Sequence, residues 1–266
     1  MNPHLARIRI FPFKSLDGHD VAEAVVLRSG ALAHDREYRF LDEEGAVVNG
    51  KRAGERIMRI RSVFDFGFGQ VTLSDRQDSA TFFPHREQEP IESWVAERMG
   101  FAVRLQHDAD GGFPDDTDAP GPTVVSTASL KTVASWFGFT LEETRRRFRA
   151  NLEVGGVPAF WEDRLYGPGD EKGRFRIGDV LVEGVNPCQR CAVPGRNPED
   201  GSLTPAHFAK TFSDKRRETL PAWAEPGRFD HCYRLTVNTC IPGSEAGKVL
   251  EVGDTIDIVS SPETSS

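Results

Sequence analysis

Cysteine is scarce in this chain, with four among 266 residues, and methionine and tyrosine number only three each. Four thiols over that length are too few for a disulfide scaffold. Long apolar runs are missing too. None approaches the roughly 18 residues that a membrane-spanning helix needs, and Met1 to Arg9 lacks the charged-then-apolar pattern of a signal peptide. The expected compartment is therefore the cytoplasm, with no membrane partner. Nor is there an excess of positive charge: 33 Lys and Arg stand against 41 Asp and Glu, a net charge of −8. A general nucleic-acid role usually needs a basic surface, so no nucleic-acid partner is expected, although 33 cations can still gather in a local pocket. No internal repeat is present. A dinucleotide-binding βαβ fingerprint and a plant-type iron–sulfur cysteine spacing are also missing.

What is present is an ordinary soluble balance, 38% hydrophobic and 28% charged, in a chain long enough for one large domain or two intimate ones. The fold class predicted is mostly β with a few helices, an N-terminal barrel-like part packed on a second one. Residues 1–85 read as short strands at regular spacing: Leu5 to Phe13, Val21 to Leu27, Glu37 to Leu41 turning through Asp42-Glu43-Glu44-Gly45 to Ala46-Val47-Val48, Ile57 to Phe64, and Val71 to Leu73. Residues 86–122 read as a connection: a helix over Ile91 to Met99, a strand over Ala102 to Gln106, and a flexible loop from Asp108 to Pro122. In residues 123–266, Ser126 or Thr127 caps a helix running to Phe137, and Thr140 with Glu143 fits a capping box for the next. That second helix carries Arg145, Arg146, Arg147 and Arg149, of which the first three read as a solvated face. A hairpin follows over Arg174 to Val185, then a polar helix from Thr204 to about Leu220, and closing strands over Tyr233 to Asn238 and Val249 to Val259.

Half of the cysteines lie in Asn186-Pro187-Cys188-Gln189-Arg190-Cys191, directly after a strand-like run. Arg190 adjoins Cys191, and a neighbouring cation stabilises the thiolate that attacks electrophiles or binds soft metals. On the residues alone Cys191 can be a metal ligand, a sulfur carrier, half of a redox pair, or a buried small residue. A zinc site would need four ligands; Cys232, Cys240, His231 and His207 could complete one, but no second C-x-x-C exists. Lys14, Ser15, Arg36, Arg149 and Asn151 suit an anionic ligand rich in heteroatoms, since arginine offers a bidentate fork, lysine a point charge, and serine and asparagine neutral hydrogen bonds. Taken singly, each also fits an ordinary surface position.

The order of motifs is more specific than any one of them. Phe11-Pro12-Phe13-Lys14-Ser15, Asp35-Arg36, Val125 to Leu130, Arg147 to Leu152, Phe160-Trp161-Glu162-Asp163, and Asn186 to Asn197 together resemble the molybdenum cofactor sulfurase C-terminal (MOSC) domain family. The first 85 or so residues resemble the β-barrel often attached to it, and the whole is similar to the bacterial and mitochondrial amidoxime-reducing proteins. The resemblance implies a pterin-based molybdenum cofactor (molybdopterin) in a cleft, with the sulfur of Cys191 on the metal. It implies cofactor contacts from Lys14, Ser15, Arg36, Ser126, Thr127, Ser129, Arg149, Asn151 and Arg190, and, for the family at large, an association with pyridoxal phosphate. The activity implied is reduction of N-hydroxylated or related N- or S-oxygenated small molecules, with electrons from a separate ferredoxin or flavin reductase. Two other readings stay open: a persulfide carrier acting through Cys191, and a cofactor carrier without turnover.

Overall fold

The computed structural model describes residues 2–203 and 207–259. Fifteen strands and five α-helices occur among them. The strands are β1 (His4–Ile10), β2 (His19–Val21), β3 (Glu23–Val25), β4 (Tyr38–Leu41), β5 (Arg61–Asp65), β6 (Gln70–Ser74), β7 (Ser79–Phe82), β8 (Arg104–His107), β9 (Val124–Ser126), β10 (Leu152–Gly155), β11 (Gly173–Ile177), β12 (Val180–Gln189), β13 (Arg234–Cys240), β14 (Val249–Glu251) and β15 (Ile256–Val259). The helices are α1 (Glu55–Met58), α2 (Gln88–Met99), α3 (Thr127–Phe137), α4 (Leu141–Phe148) and α5 (Phe208–Glu218). The protein is mostly β, as expected, but its sheets are open. Eight strands form one sheet in the order β15-β11-β12-β13-β9-β10-β1-β2, beside β14-β3, β4-β8 and β5-β6-β7.

The sheet does not break at residue 85. β1 pairs antiparallel with β10, and β3 with β14, so the first strands are shared with the C-terminal half. Ile8 and Ile10 alternate, and the register shift between Leu5 and Arg7 turns Leu5 to the same face. Those side chains join Leu152, Val154, Phe175, Val182 and Val237 in one core, and a strand buries such a face only against another apolar layer. A second core runs from Phe13 to Leu105 and includes Ile91, Trp94, Val95 and Met99 of α2. Helix α2 and strand β8, expected as a connection, therefore pack with the N-terminal half. A third core gathers Val125, Leu130 and Val133 with Phe148, Phe160, Phe208 and Phe212 around α3, α4 and α5.

Several local expectations change. The strand expected from Ile57 begins only at Arg61, because Ile57 and Ile60 are both buried. That i, i+3 spacing is a helical period, and Glu55 pairs with Arg59 across the turn at 3.0 Å. β7 carries little apolar signal and forms by pairing with β6, where the Thr72 and Thr81 hydroxyls meet at 2.8 Å. The helix expected from Thr204 is seen over Phe208–Glu218, Thr204 lying outside the described residues. The single closing strand expected over Val249 to Val259 is β14 and β15 with a turn between them. No helix among the described residues is long and apolar enough to cross a membrane.

Candidate functional site

A cleft of ≈ 980 Å³ opens between the two halves, lined by residues from the β1–β4 segment, the loop before β9, the end of α4, and the β12 end with the turn after it. Among the described residues, eleven Arg and Lys line it against six Asp and no Glu. A protein of net charge −8 thus concentrates positive charge in one concave place, which draws in anions.

The wall with Lys14 follows from the chain's geometry. β1 ends at Ile10, Phe11-Pro12 follow it, and Ser15 is left-handed with φ 78°. Arg36 (φ 53°) and Arg149 (φ 52°) are left-handed as well. Such a conformation costs a non-glycine residue roughly 1–3 kcal/mol. At Arg149 it is the end of α4, where the backbone N–H donates to Arg145 O at 2.9 Å. Glycine usually fills this position; arginine there places a guanidinium in the cleft. Arg149 donates to Leu16 O at 2.6 Å and lies 4.2 Å over the Phe11 ring. Among the described residues no carboxylate comes within ion-pair reach of it. Burial first, and the like charge of Arg36 second, pull its pKa down to about 10. Arg36 is raised instead: burial works against its charge, but Asp35 and Asp115 outweigh it.

Asn151 lies behind this wall. It is buried, donating through Nδ2 to Asp35 Oδ1 at 3.0 Å and to Arg9 O at 3.1 Å. Asp35 in turn accepts from Phe11 N at 2.9 Å and pairs with Arg36. Asn151 bonds Asp35 and accepts from Arg36 Nη1 at 3.4 Å, and it lies outside the lining of the cleft.

On the facing wall β12 is irregular. Its register against β13 shifts between Gly184 and Asn186 and again between Pro187 and Gln189. Pro187 cannot donate to a ladder, and bulges beside it re-aim the following side chains. Cys188 and Cys191 both line the cleft as half-buried free thiols. Sequence adjacency suggested that Arg190 supports Cys191. The guanidinium turns the other way, donating to Cys188 Sγ at 3.3 Å and to Phe148 O at 2.9 Å. Its Nε is buried without a hydrogen-bond partner among the described residues. The Cys191 carbonyl accepts from the Tyr233 hydroxyl at 3.2 Å, while its sulfur has no hydrogen bond among the described residues. Cys191 is thus the uncommitted sulfur of the pair. The alternative zinc donors do not converge: among the described residues no three His, Cys, Asp or Glu side chains group to hold a metal.

Residues 122–257 match the family model of the MOSC domain, and residues 2–109 match that of the MOSC N-terminal beta barrel domain. The chain belongs to the MOSC domain family. It is 25% identical over 242 residues to a molybdenum cofactor sulfurase of Drosophila grimshawi, covering 77% of this chain and 30% of the relative. A molybdenum cofactor sulfurase of Drosophila melanogaster is 26% identical over 236 residues, covering 77% and 29%. The chain therefore spans under a third of the length of these relatives. Among solved structures, the YuaD protein of Bacillus subtilis overlaps 98% of both chains at 12% identity with a TM-score of 0.42. YiiM from Geobacillus stearothermophilus overlaps 53% of this chain and 54% of its own at 14% identity and a TM-score of 0.33.

In this MOSC protein the cleft brings together Lys14, Ser15, Arg36, Arg149, Arg190 and Cys191. Ser126, Thr127 and Ser129 do not reach it. Ser126 caps α3, accepting from Ser129 N at 3.0 Å; Ser129 Oγ accepts from Phe160 N at 2.5 Å; Thr127 donates to Glu153 at 3.2 Å. Their hydroxyls are bonded inside the fold. The arginines of α4 are not a solvated face either. Arg147 is buried, holding Glu143 and donating to Pro194 O at 2.8 Å. Arg145 forks onto Glu153 at 2.7 and 2.9 Å, and Arg146 donates to Pro198 O at 2.8 Å. Arg146 and Arg147 also line the cleft, with Arg61 and Asp115. The only signal for Asp115 in the sequence was the acidic character of the loop from Asp108 to Pro122.

Proposed function

We propose that the cleft seats the molybdenum cofactor and that the protein is a molybdenum-dependent oxidoreductase. Its substrates are small N-hydroxylated or related N- or S-oxygenated molecules, and its electrons come from a separate ferredoxin or flavin reductase. One observation carries this: a single cleft holds more cations than carboxylates, eleven against six, and a thiol, Cys191, with no hydrogen bond among the described residues. Charge-assisted bonds to a phosphoryl group would satisfy Arg149 and Arg36. The buried Nε of Arg190 adds a donor on the facing wall. Cys191 offers the soft ligand that such a metal takes. When bound, the cofactor supplies two-electron oxygen-transfer chemistry.

The chain's own residues bind and orient. Lys14, Ser15, Arg36 and Arg149 hold the anionic end, Asn151 and Asp35 fix Arg36, and Arg190 keeps Cys188 apart from Cys191 by binding its sulfur. The test is purification from a host able to make the cofactor. Stoichiometric molybdenum and pterin are expected, with turnover of N-hydroxylated amidines when an artificial low-potential donor is supplied. Cys191→Ala should abolish turnover and leave the fold intact; full activity in that variant together with loss in Cys188→Ala would assign the metal to the other sulfur. Zinc in place of molybdenum, without pterin, would sink the reading. A second reading draws on the name of the curated relatives: Cys191 carries a persulfide. A persulfide on Cys191 in a molybdenum-free protein would decide for it. Full molybdenum without turnover from any donor would mark a carrier.

A further inference from the structure

The segment Asp108 to Pro122 runs along the cleft and is tied at both sides. Phe113 N donates to Arg36 O at 2.9 Å, and the Arg39 guanidinium lies 4.0 Å over the Phe113 ring. Further on, Asn238 Nδ2 donates to Asp116 Oδ2 at 3.2 Å and Gly121 N to Thr239 O at 2.9 Å. Gly112 fixes the approach: its φ is +62°, and a Cβ there would lie 2.5 Å from Asp35 O. Between these anchors Lys14 Nζ donates to Phe113 O at 2.8 Å and Pro114 O at 3.0 Å, and sits 2.9 Å from Asp115 Oδ1. The other Asp115 oxygen is 3.9 Å from Arg36 Nε.

A lysine ammonium has three donors; here two go to main-chain carbonyls and the ammonium is ion-paired with Asp115. A phosphoryl oxygen can reach Lys14 only by replacing one acceptor. Two are main-chain carbonyls of an anchored segment. The third is a carboxylate whose side chain keeps 76% of its surface open, so it can rotate away without disturbing a core. Carboxylate and phosphoryl group also repel one another over the same cations.

Resting on the reading of the cleft as the seat of a phosphate-bearing cofactor, we propose that Asp115 is an internal competitor for the anion subsite. Its carboxylate and the ligand's phosphoryl group exclude each other on Lys14 and Arg36, and the segment from Gly112 to Thr117 loosens when the phosphoryl group wins. Asp115 therefore weakens anion binding, and its removal strengthens it.

Calorimetric titration of the full chain, purified from a host without the cofactor, with inorganic phosphate tests this. At low salt Asp115→Asn should bind phosphate roughly fivefold more tightly or better, a gain that salt erodes. Asp115→Ala should agree, because it leaves no carbonyl to hold Lys14. Asp170→Asn, on the same cleft but beside Arg228, should match the parent. Amide exchange over residues 112–117 should quicken when phosphate binds the parent chain. Asp115 variants that bind no more tightly than a parent that does bind, or exchange that slows with phosphate, would overturn the competition while leaving the cofactor seat standing. Absence of phosphate binding in parent and variants alike would overturn both.

Discussion

The cleft and the buried cluster around Trp161–Arg164 both hold ionised side chains out of water, yet they are built in opposite ways. In the cluster Arg216 and Asp163 are only 1% and 5% exposed in their side chains and bond to each other. Tyr166 donates to Asp163 at 3.2 Å, and the Phe160 and Phe229 rings face the guanidinium at 4.0 and 4.9 Å. Arg216 and Asp163 pair with each other there, deep between the first and third cores, while Nε and Nη1 of Arg216 have no hydrogen bond among the described residues. In the cleft, Arg149 has a carbonyl and a ring but, among the described residues, no carboxylate within ion-pair reach, and the wall opens to solvent. A buried charge with its own partner is a part of the fold; one without is an invitation to a ligand.

Exchanging each arginine for methionine gives the widest separation. Arg216→Met leaves Asp163 uncompensated in the core and should cost about 3–5 kcal/mol in urea unfolding. Arg149→Met removes a like-charge neighbour of Arg36 and should change stability by less than about 1 kcal/mol, while phosphate affinity falls by at least roughly tenfold. Equal losses of stability in the two variants would erase the distinction between the regions.

The next effect is smaller and appears as a slope against pH. Glu162 is buried beside Asp163, and neither of its carboxylate oxygens has a hydrogen bond among the described residues. Burial first, and the Asp163 charge second, push its pKa from 4.5 up to about 7. The folded state then binds the proton more tightly than the unfolded chain does. The stabilisation is fully present below about pH 4.5 and is lost as pH rises through about 7. Glu162→Gln removes this titration, so the variant-minus-parent difference in unfolding free energy should grow in the variant's favour across that window. A flat difference would mean that the carboxyl stays ionised. The cleft acts at the other end of the scale, since Arg149 keeps its charge until about 10.

Much of the fold was legible because alternation and capping are local. Thr140 Oγ1 accepts from Glu143 N at 3.1 Å as its spacing implied, though the Glu143 carboxylate goes to Arg147 and does not close the box. Lys14, Ser15, Arg36 and Arg149 stood out through their motifs and line one cleft, whereas the left-handed backbone of Arg149 was not foreseen. What remained hidden depends on partners far along the chain. Arg145 and Arg146 look solvated until Glu153 and Glu199 are folded against them. Arg190 sits next to Cys191 in sequence, but the bulged end of β12 sends its guanidinium to Cys188. Asp115 gains its place only when the loop lies across Lys14.

The smallest expected effect tests the three hydroxyl residues that the family resemblance placed at the cofactor. Ser126 is fully buried, caps α3, meets the Ser129 hydroxyl at 2.7 Å, and lies outside the lining of the cleft. Loss of an N-cap hydroxyl typically costs about 1 kcal/mol. Ser126→Ala should therefore lower the unfolding free energy by that order, with the start of α3 losing amide protection at Ser129. Nothing in the Lys14–Arg36–Arg149 wall depends on this cap, so phosphate affinity and pterin content should stay at the parent's level. If pterin content fell while stability held, Ser126 would belong to the cofactor seat, and the seat would have to extend past the cleft to the N-terminus of α3. The same pair of measurements on Thr127→Val, whose hydroxyl donates to Glu153, would then show whether the whole segment takes part.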